Sequence, residues 1–160
     1  MHRQRFQERP SLEIYDQIEA LARQVGTWKT VRQALIEHLQ GANHLDVLLD
    51  VYLSEGEHDE AITLVKTATF YHGQPLERVA RAVEGTHPQE ALALYKALAQ
   101  WHICFGNRKA YQAAATCLQE ARRISLQIGQ GEGWGETVRG LRQAYPRHRA
   151  LQDELDKAGL

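Results

Sequence analysis

Apolar residues recur at intervals of three and four along most of the chain, the spacing typical of amphipathic helices. The clearest example is the segment 48–68, with the sequence LLDVYLSEGEHDEAITLVKTA. Its two halves each have an apolar face, formed by Leu48, Leu49, Tyr52 and Leu53 and by Ala61, Ile62, Val65 and Ala68. Gly56 stands between the halves, where a left-handed glycine ends a helix without steric cost. The pattern predicts two helices joined by a tight turn, with the small Ala61 allowing them to approach closely.

Two other glycines, Gly26 and Gly106, occupy the same place between apolar patterns of this kind. Five positions after the three glycines come Val31, Ala61 and Tyr111, which we expect to be buried. The glycines are spaced by thirty and then fifty residues, so the longer interval leaves room for one additional short helix. Repetition of helix pairs at this period is typical of α-solenoids, and Y-L-x-x-G-x-x-D-E-A-I resembles the tetratricopeptide pattern.

These patterns predict an all-α fold, a tetratricopeptide-like α-solenoid of about eight helices in a single domain of residues 1–160. We expect helical hairpins at about 11–40, 44–70 and 88–128, an extra helix at about 75–84, and a C-terminal cap at about 132–157. The cap carries an apolar stripe formed by Trp134, Val138, Leu141 and Tyr145. It is expected to close the end of the stack, as capping repeats do in solenoids.

Composition and the positions of the cysteines indicate the cellular compartment of such a chain. No uncharged apolar run approaches the roughly 18 residues of a membrane span, and the N-terminal segment lacks the apolar core of a secretory signal. Cys104 and Cys117 are expected to be two buried thiols, because a turn at Gly106 places Cys117 roughly 16 Å along the return helix. That separation exceeds the roughly 7 Å between Cα atoms that a disulfide spans. We therefore predict a cytoplasmic protein without membrane contact or disulfide.

Four segments of the chain carry a resemblance to a known bacterial family. They are RPSLEIYDQIEALARQVGTWKTVR, YLSEGEHDEAITLVKTA, HPQEALALYKALAQWHICFGNRKAYQAAATCLQEARRI and RHRALQDELDKAGL. Together they resemble the helical C-terminal region of bacterial SWIM zinc-finger proteins, over nearly the whole chain. Members of that family carry an N-terminal zinc module, Cys-x-Cys followed by Cys-x-His, which is proposed to bind nucleic acid or protein. This chain has no Cys-x-Cys.

The resemblance therefore implies a scaffold role for this chain, and it implies no metal ligand. It implies that the chain is either a C-terminal fragment of such a protein or a short stand-alone relative. Beginning just before a helix suits a fragment cut at a repeat boundary. In either case the expected role is to hold other proteins together.

Catalytic and metal-binding patterns are not recognisable in the sequence. There is no Gly-x-Ser-x-Gly and no P-loop, and none of the eight histidines is spaced i, i+4 with another, as in a helical zinc site. The alternating glycines of GQGEGWG at 129–135 follow no predicted strand, and Glu132 and Glu136 would repel an anion, so we interpret this segment as a linker. We predict a non-enzymatic protein without metal or cofactor.

A protein-binding groove is the preferred candidate site. In tetratricopeptide-like solenoids the first helix of each hairpin lines the concave face. The polar positions predicted to point outward from these helices are Glu13, Asp16, Asn43, Asp46, Asp50, Lys96 and Gln100. The groove would be acidic at one end and neutral to basic at the other, and would attract a protein partner with Lys or Arg. A plain solvated stripe is the alternative interpretation.

Two other functions remain open. The sequence is electrically polar, since residues 37–90 hold ten acids against three bases and residues 108–149 hold eight bases against three acids. A basic patch of Arg139, Arg142, Arg147 and Arg149 would suit a nucleic-acid-associated module. It lacks interleaved exposed aromatic residues, so we do not expect this chain alone to bind nucleic acid. The second alternative is a structural module that self-associates as a homo-oligomer through apolar surface at the end of the solenoid.

Overall fold

The computed structural model describes residues 2–67 and 73–160, with side chains from residue 4 onward. All regular secondary structure within these residues is helical, which confirms the predicted all-α class for the described part of the chain. The described residues form ten α-helices, two more than predicted. The chain divides into two compact units, Met1–Thr69 and Phe70–Leu160, which are considered one at a time below.

The first unit contains five helices. They are α1 (His2–Glu8), α2 (Leu12–Gln24), α3 (Trp28–Gly41), α4 (Leu45–Glu55) and α5 (His58–Thr67). The sequence did not predict α1, because Phe6 is the one large apolar residue in RQRFQER and a single residue shows no periodicity. Phe6 is nevertheless fully buried and packs near the rings of Tyr15 and His38. A contact distant in sequence therefore anchors this helix.

The predicted glycine turns are confirmed in the first unit. Gly26 and Gly56 both have a φ of +72°, and the chain reverses at each of them. Val31 and Ala61 are buried as predicted, with Ala61 fully enclosed where α4 and α5 meet. Helix α2 contacts α1, α3 and α4, while α4 also contacts α3 and α5. The predicted continuation of α5 to residue 70, including Ala68, lies outside the described residues.

The second unit is built on two long helices. Its elements are α6 (Gly73–Val83), α7 (Pro88–Ile103), α8 (Arg108–Gln127), a 3₁₀ turn (Gly131–Gly133), α9 (Trp134–Ala144) and α10 (Arg149–Lys157). Helices α7 and α8 pack along each other, α6 covers α7, and α10 covers α8. The predicted turn at Gly106 is confirmed by its φ of +69°, and Tyr111 is buried. The linker predicted at 129–135 instead contains the 3₁₀ turn and the start of α9.

Two positions differ from the sequence-based expectation. Asn43 was predicted on the outward face of a helix, but it lies in the turn before α4 with a φ of +57°. Asparagine tolerates this left-handed conformation better than most residues. Asn43 therefore belongs to the turn and not to the helix. Cys104 was predicted to be buried, but it is exposed because α7 ends one residue before it. Cys117 is buried, and both thiols are unpaired, as predicted.

Candidate functional site

The acidic residues predicted in the first unit lie on two helices that touch. Glu13 and Asp16 are exposed on α2, and Asp46 is exposed in the first turn of α4. Helix α2 contacts α4 directly. Asp50, one turn after Asp46, is half-buried and has an interaction partner. We call Glu13, Asp16 and Asp46 the acidic surface.

Negative charge from both helices converges on Asp16. Its pKa is raised above the ordinary value, first because it is partly desolvated and then because the carboxylates of Glu19 and Glu55 repel its charge. Glu55 is the last residue of α4, so the α4 charge reaches this side of α2.

A polar network below this surface holds the helices in place. The Tyr15 hydroxyl donates a 2.9 Å hydrogen bond to Glu55, and the Arg32 guanidinium forms a 2.6 Å ion pair with the other Glu55 oxygen. Arg32 also pairs with Glu57, just before α5. Desolvation of Tyr15 and its bond to Glu55 raise its pKa far above the usual range. The network connects α2, α3 and α4, and therefore fixes which residues of α2 and α4 face solvent.

The two predicted site residues of the second unit lie beside another helix. The ammonium group of Lys96 lies 5.7 Å from the centre of the Trp134 ring, a cation–π distance, and Gln100 donates a 3.5 Å hydrogen bond to the Tyr145 hydroxyl. Lys96 and Gln100 also line a cavity of about 270 Å³ whose other wall is mainly α9. Helix α9 thus lies over the side of α7 that was predicted to face a partner. The seven predicted residues divide between the two units, five in the first and two in the second.

Of the four predicted arginines, Arg139 and Arg142 lie on α9, Arg149 begins α10 and Arg147 lies between these helices. Arg142 ties α9 to the end of the chain through Gln152 at 3.0 Å, Asp156 at 2.6 Å and the main-chain oxygen of Leu160 at 2.6 Å. Arg139, one turn earlier, is exposed and has no hydrogen bond or ion pair within residues 4–67 and 73–160. Arg139 and Arg142 line a cavity of about 500 Å³, whereas Arg147 and Arg149 are not part of its wall. The cavity lining therefore includes two of the four predicted arginines.

Arg122 is the residue of this cavity that the sequence analysis missed. It lies on α8, and its guanidinium donates a 3.1 Å hydrogen bond to the main-chain oxygen of Gly159. A sequence signal does exist, because Arg122 follows the buried Ala121 and so stands at the edge of the buried stripe of α8. The pairing of that edge with α9 depends on tertiary packing, which sequence spacing does not encode.

The chemistry available in the described residues is limited. No group of three or more His, Cys, Asp or Glu residues in that part of the chain could hold a metal ion. Burial raises the pKa of the Cys117 thiol to about 11 and lowers the pKa of His102, which favours their uncharged forms at neutral pH. Among the described helices, none is both long enough and apolar enough to cross a membrane.

Comparison with known proteins adds no assignment to these sites. No family model, curated protein or solved structure matches the chain.

Proposed function

We propose that this chain is a non-enzymatic, tetratricopeptide-like scaffold that binds another protein through the acidic surface. The observation that carries the proposal is geometric: Glu13 and Asp16 are exposed on α2, Asp46 is exposed on α4, and the two helices are in contact. These three carboxylates place negative charge on an exposed part of the first unit. Such charge favours association with a basic partner more than it favours folding.

The arrangement of helices in the first unit supports a solenoid. In stacked helical hairpins, the first helix of one pair contacts both its own partner and the first helix of the next pair. Helix α2 makes both kinds of contact, with α3 and with α4, and the two turns use glycines of the same conformation, Gly26 and Gly56. The further proposal that the chain is the helical part of a SWIM-type protein rests on the sequence resemblance.

The partner of this proposal is a protein segment with Lys or Arg side chains. Glu13, Asp16 and Asp46 are exposed, and the first unit as a whole carries eleven acids against seven bases. Long-range attraction between opposite charges accelerates encounter and selects against acidic partners. A basic segment would therefore be steered to this unit.

Affinity capture with a charge-reversed variant tests the proposal. Asp16→Lys with Asp46→Lys reverses the acidic surface, while Glu37→Lys with Glu60→Lys makes the same change in charge at exposed positions on α3 and α5. We expect a protein with a basic segment to be captured by the wild type and by the control, and to be lost from the first variant. If every captured protein is retained by the charge-reversed variant in its folded state, the acidic surface is not the binding site.

A second candidate function, self-association, is favoured by one specific observation. Leu21, in the last turn of α2, and Val25, the residue that follows this helix, are 48% and 71% exposed. Exposed apolar pairs of this kind can form the contact between two copies of a chain. Sedimentation analysis should then detect a dimer that Leu21→Ser with Val25→Ser converts to a monomer, whereas a wild-type monomer at high concentration excludes this function.

A further inference from the structure

The second unit contains a cavity in which positive charge and apolar surface meet. Its volume is about 500 Å³, within the usual range of small-molecule sites, roughly 300–1,000 Å³. Its charged lining residues are three arginines, Arg122 from α8 and Arg139 and Arg142 from α9. Its apolar wall includes Leu126 and Val138. The cavity lies outside the acidic surface and belongs entirely to the second unit.

The three arginines have different roles within the cavity. Arg122 and Arg142 are held by main-chain oxygens of Gly159 and Leu160, and Arg142 also pairs with Asp156. Their positions are therefore fixed by the fold. Arg139 has no partner within the described residues and is exposed, so its guanidinium retains its full capacity for a carboxylate. A planar guanidinium donates two parallel hydrogen bonds to such a group.

Apolar surface beside Arg139 indicates what would be attached to that carboxylate. Leu126 is 59% exposed, although it is a large aliphatic side chain, and it lies on the cavity wall next to the buried Trp134 and Val138. A bare inorganic anion would leave this surface in water. An aromatic or aliphatic group would cover it and gain the free energy of apolar burial.

We propose that this cavity binds a small organic acid, with the carboxylate at Arg139 and the apolar body against Leu126 and Val138. Arg147 and Arg149 are also exposed, but they do not line the cavity. The proposed site is therefore defined by arginine beside apolar surface and not by exposed positive charge alone. The proposal concerns a ligand site, and it is independent of the protein-binding role of the first unit.

Two glycines of α9 provide a matched pair of variants. A Cβ atom at Gly135 or at Gly140 would meet no atom within 4 Å apart from its chain neighbours and the nearby backbone of α9, and both positions belong to this helix. Gly135 lines the proposed site, whereas Gly140 lines the other, smaller cavity. Leucine also has a higher helix propensity than glycine. Gly135→Leu should therefore fill the proposed site without disrupting α9, and Gly140→Leu is its control.

Calorimetric titration of the full chain with 3-phenylpropionate, and with its neutral amide, tests the proposal. We expect saturable binding of the acid and none of the amide. Arg139→Gln should weaken binding by about tenfold or more, since it removes a charge-assisted contact. Gly135→Leu should abolish binding, whereas Gly140→Leu and Arg147→Gln should bind as the wild type does, with circular dichroism confirming that each variant is folded.

Three results would overturn the assignment. The first is the absence of saturable binding of the acid to the wild type. The second is equal binding of the acid and the amide, which would show that the arginines do not recognise charge. The third is undiminished binding of the acid by Arg139→Gln, which would place the ligand elsewhere. Because Arg139 is exposed, this substitution leaves the packing of α9 unchanged.

Discussion

The Tyr15 hydroxyl donates a hydrogen bond of 2.9 Å to the Glu55 carboxylate, across forty residues of sequence. Tyr95 makes the equivalent bond to Glu84 in the second unit, at 2.7 Å. Each glutamate also pairs with an arginine, Arg32 in the first unit and Arg123 in the second. In both units, therefore, a buried tyrosine and an arginine from another helix hold a glutamate at the end of a helix.

Removing the Tyr15 hydroxyl should destabilise the first unit. We expect Tyr15→Phe to lower the free energy of unfolding by about 1–2 kcal/mol, because a hydrogen bond to a charged acceptor is lost while the ring remains packed. Urea denaturation monitored by circular dichroism measures the change. An unaltered midpoint would mean that the bond to Glu55 contributes nothing to stability.

Alkaline pH should destabilise the folded chain through Tyr15 and Tyr95. Burial and the hydrogen-bonded glutamates raise the pKa of both phenols in the folded state. The unfolded chain then loses these protons first, so stability declines as pH rises above about 10, the ordinary tyrosine pKa. Tyr15→Phe with Tyr95→Phe should flatten the decline in melting temperature between pH 9 and pH 11. An identical slope in the wild type and the double variant would contradict this origin.

Enlarging Ala61 should strain the contact between α4 and α5. Ala61 is fully buried, so we expect Ala61→Leu to cost roughly 1–3 kcal/mol through overpacking. Thr63→Leu is the control, because Thr63 is exposed on the same helix and should change stability by no more than about 0.5 kcal/mol. Equal melting temperatures for the two variants would mean that the register of α5 is wrong.

Neutralising Asp16 should stabilise the protein at neutral pH. Its pKa is raised in the folded state, so ionisation of Asp16 opposes folding, and Asp16→Asn removes this cost. The gain should be complete at pH 7 and disappear below pH 3.8, the ordinary value, where Asp16 is protonated in both states. Thermal melts of the two proteins at pH 7 and pH 3 measure it. A gain of equal size at both values would exclude charge as the cause.

The sequence predicted those parts of the fold that depend on local pattern. Gly26, Gly56 and Gly106 ended helices as expected, because each follows a long amphipathic run and left-handed glycine has no steric cost there. Helix α1 was missed because Phe6 is held by Tyr15 and His38, which are distant in sequence. The spacing of apolar residues within one segment does not predict contacts with residues that are distant in sequence.

The candidate sites were predictable only in part, for the same physical reason. Helical spacing identifies polar, exposed positions such as Asp16 and Asp46, but it does not reveal which helix packs over them. Helix α9 lies beside Lys96 and Gln100. Arg122 of α8 and Arg139 of α9 line the same cavity. These arrangements depend on how α9 packs, which a short amphipathic helix does not specify by itself.

Attraction of basic protein segments to the acidic surface is directly measurable with a synthetic peptide. The affinity of a labelled amphipathic peptide of lysine and leucine is measured by fluorescence anisotropy as a function of salt. We expect Asp16→Lys with Asp46→Lys to bind about tenfold or more weakly than the wild type at low salt. The difference should shrink at high salt as charges are screened, and Glu37→Lys with Glu60→Lys should bind more tightly than the first variant. Equal affinities for the two variants at every salt concentration would mean that the acidic surface does not attract basic segments.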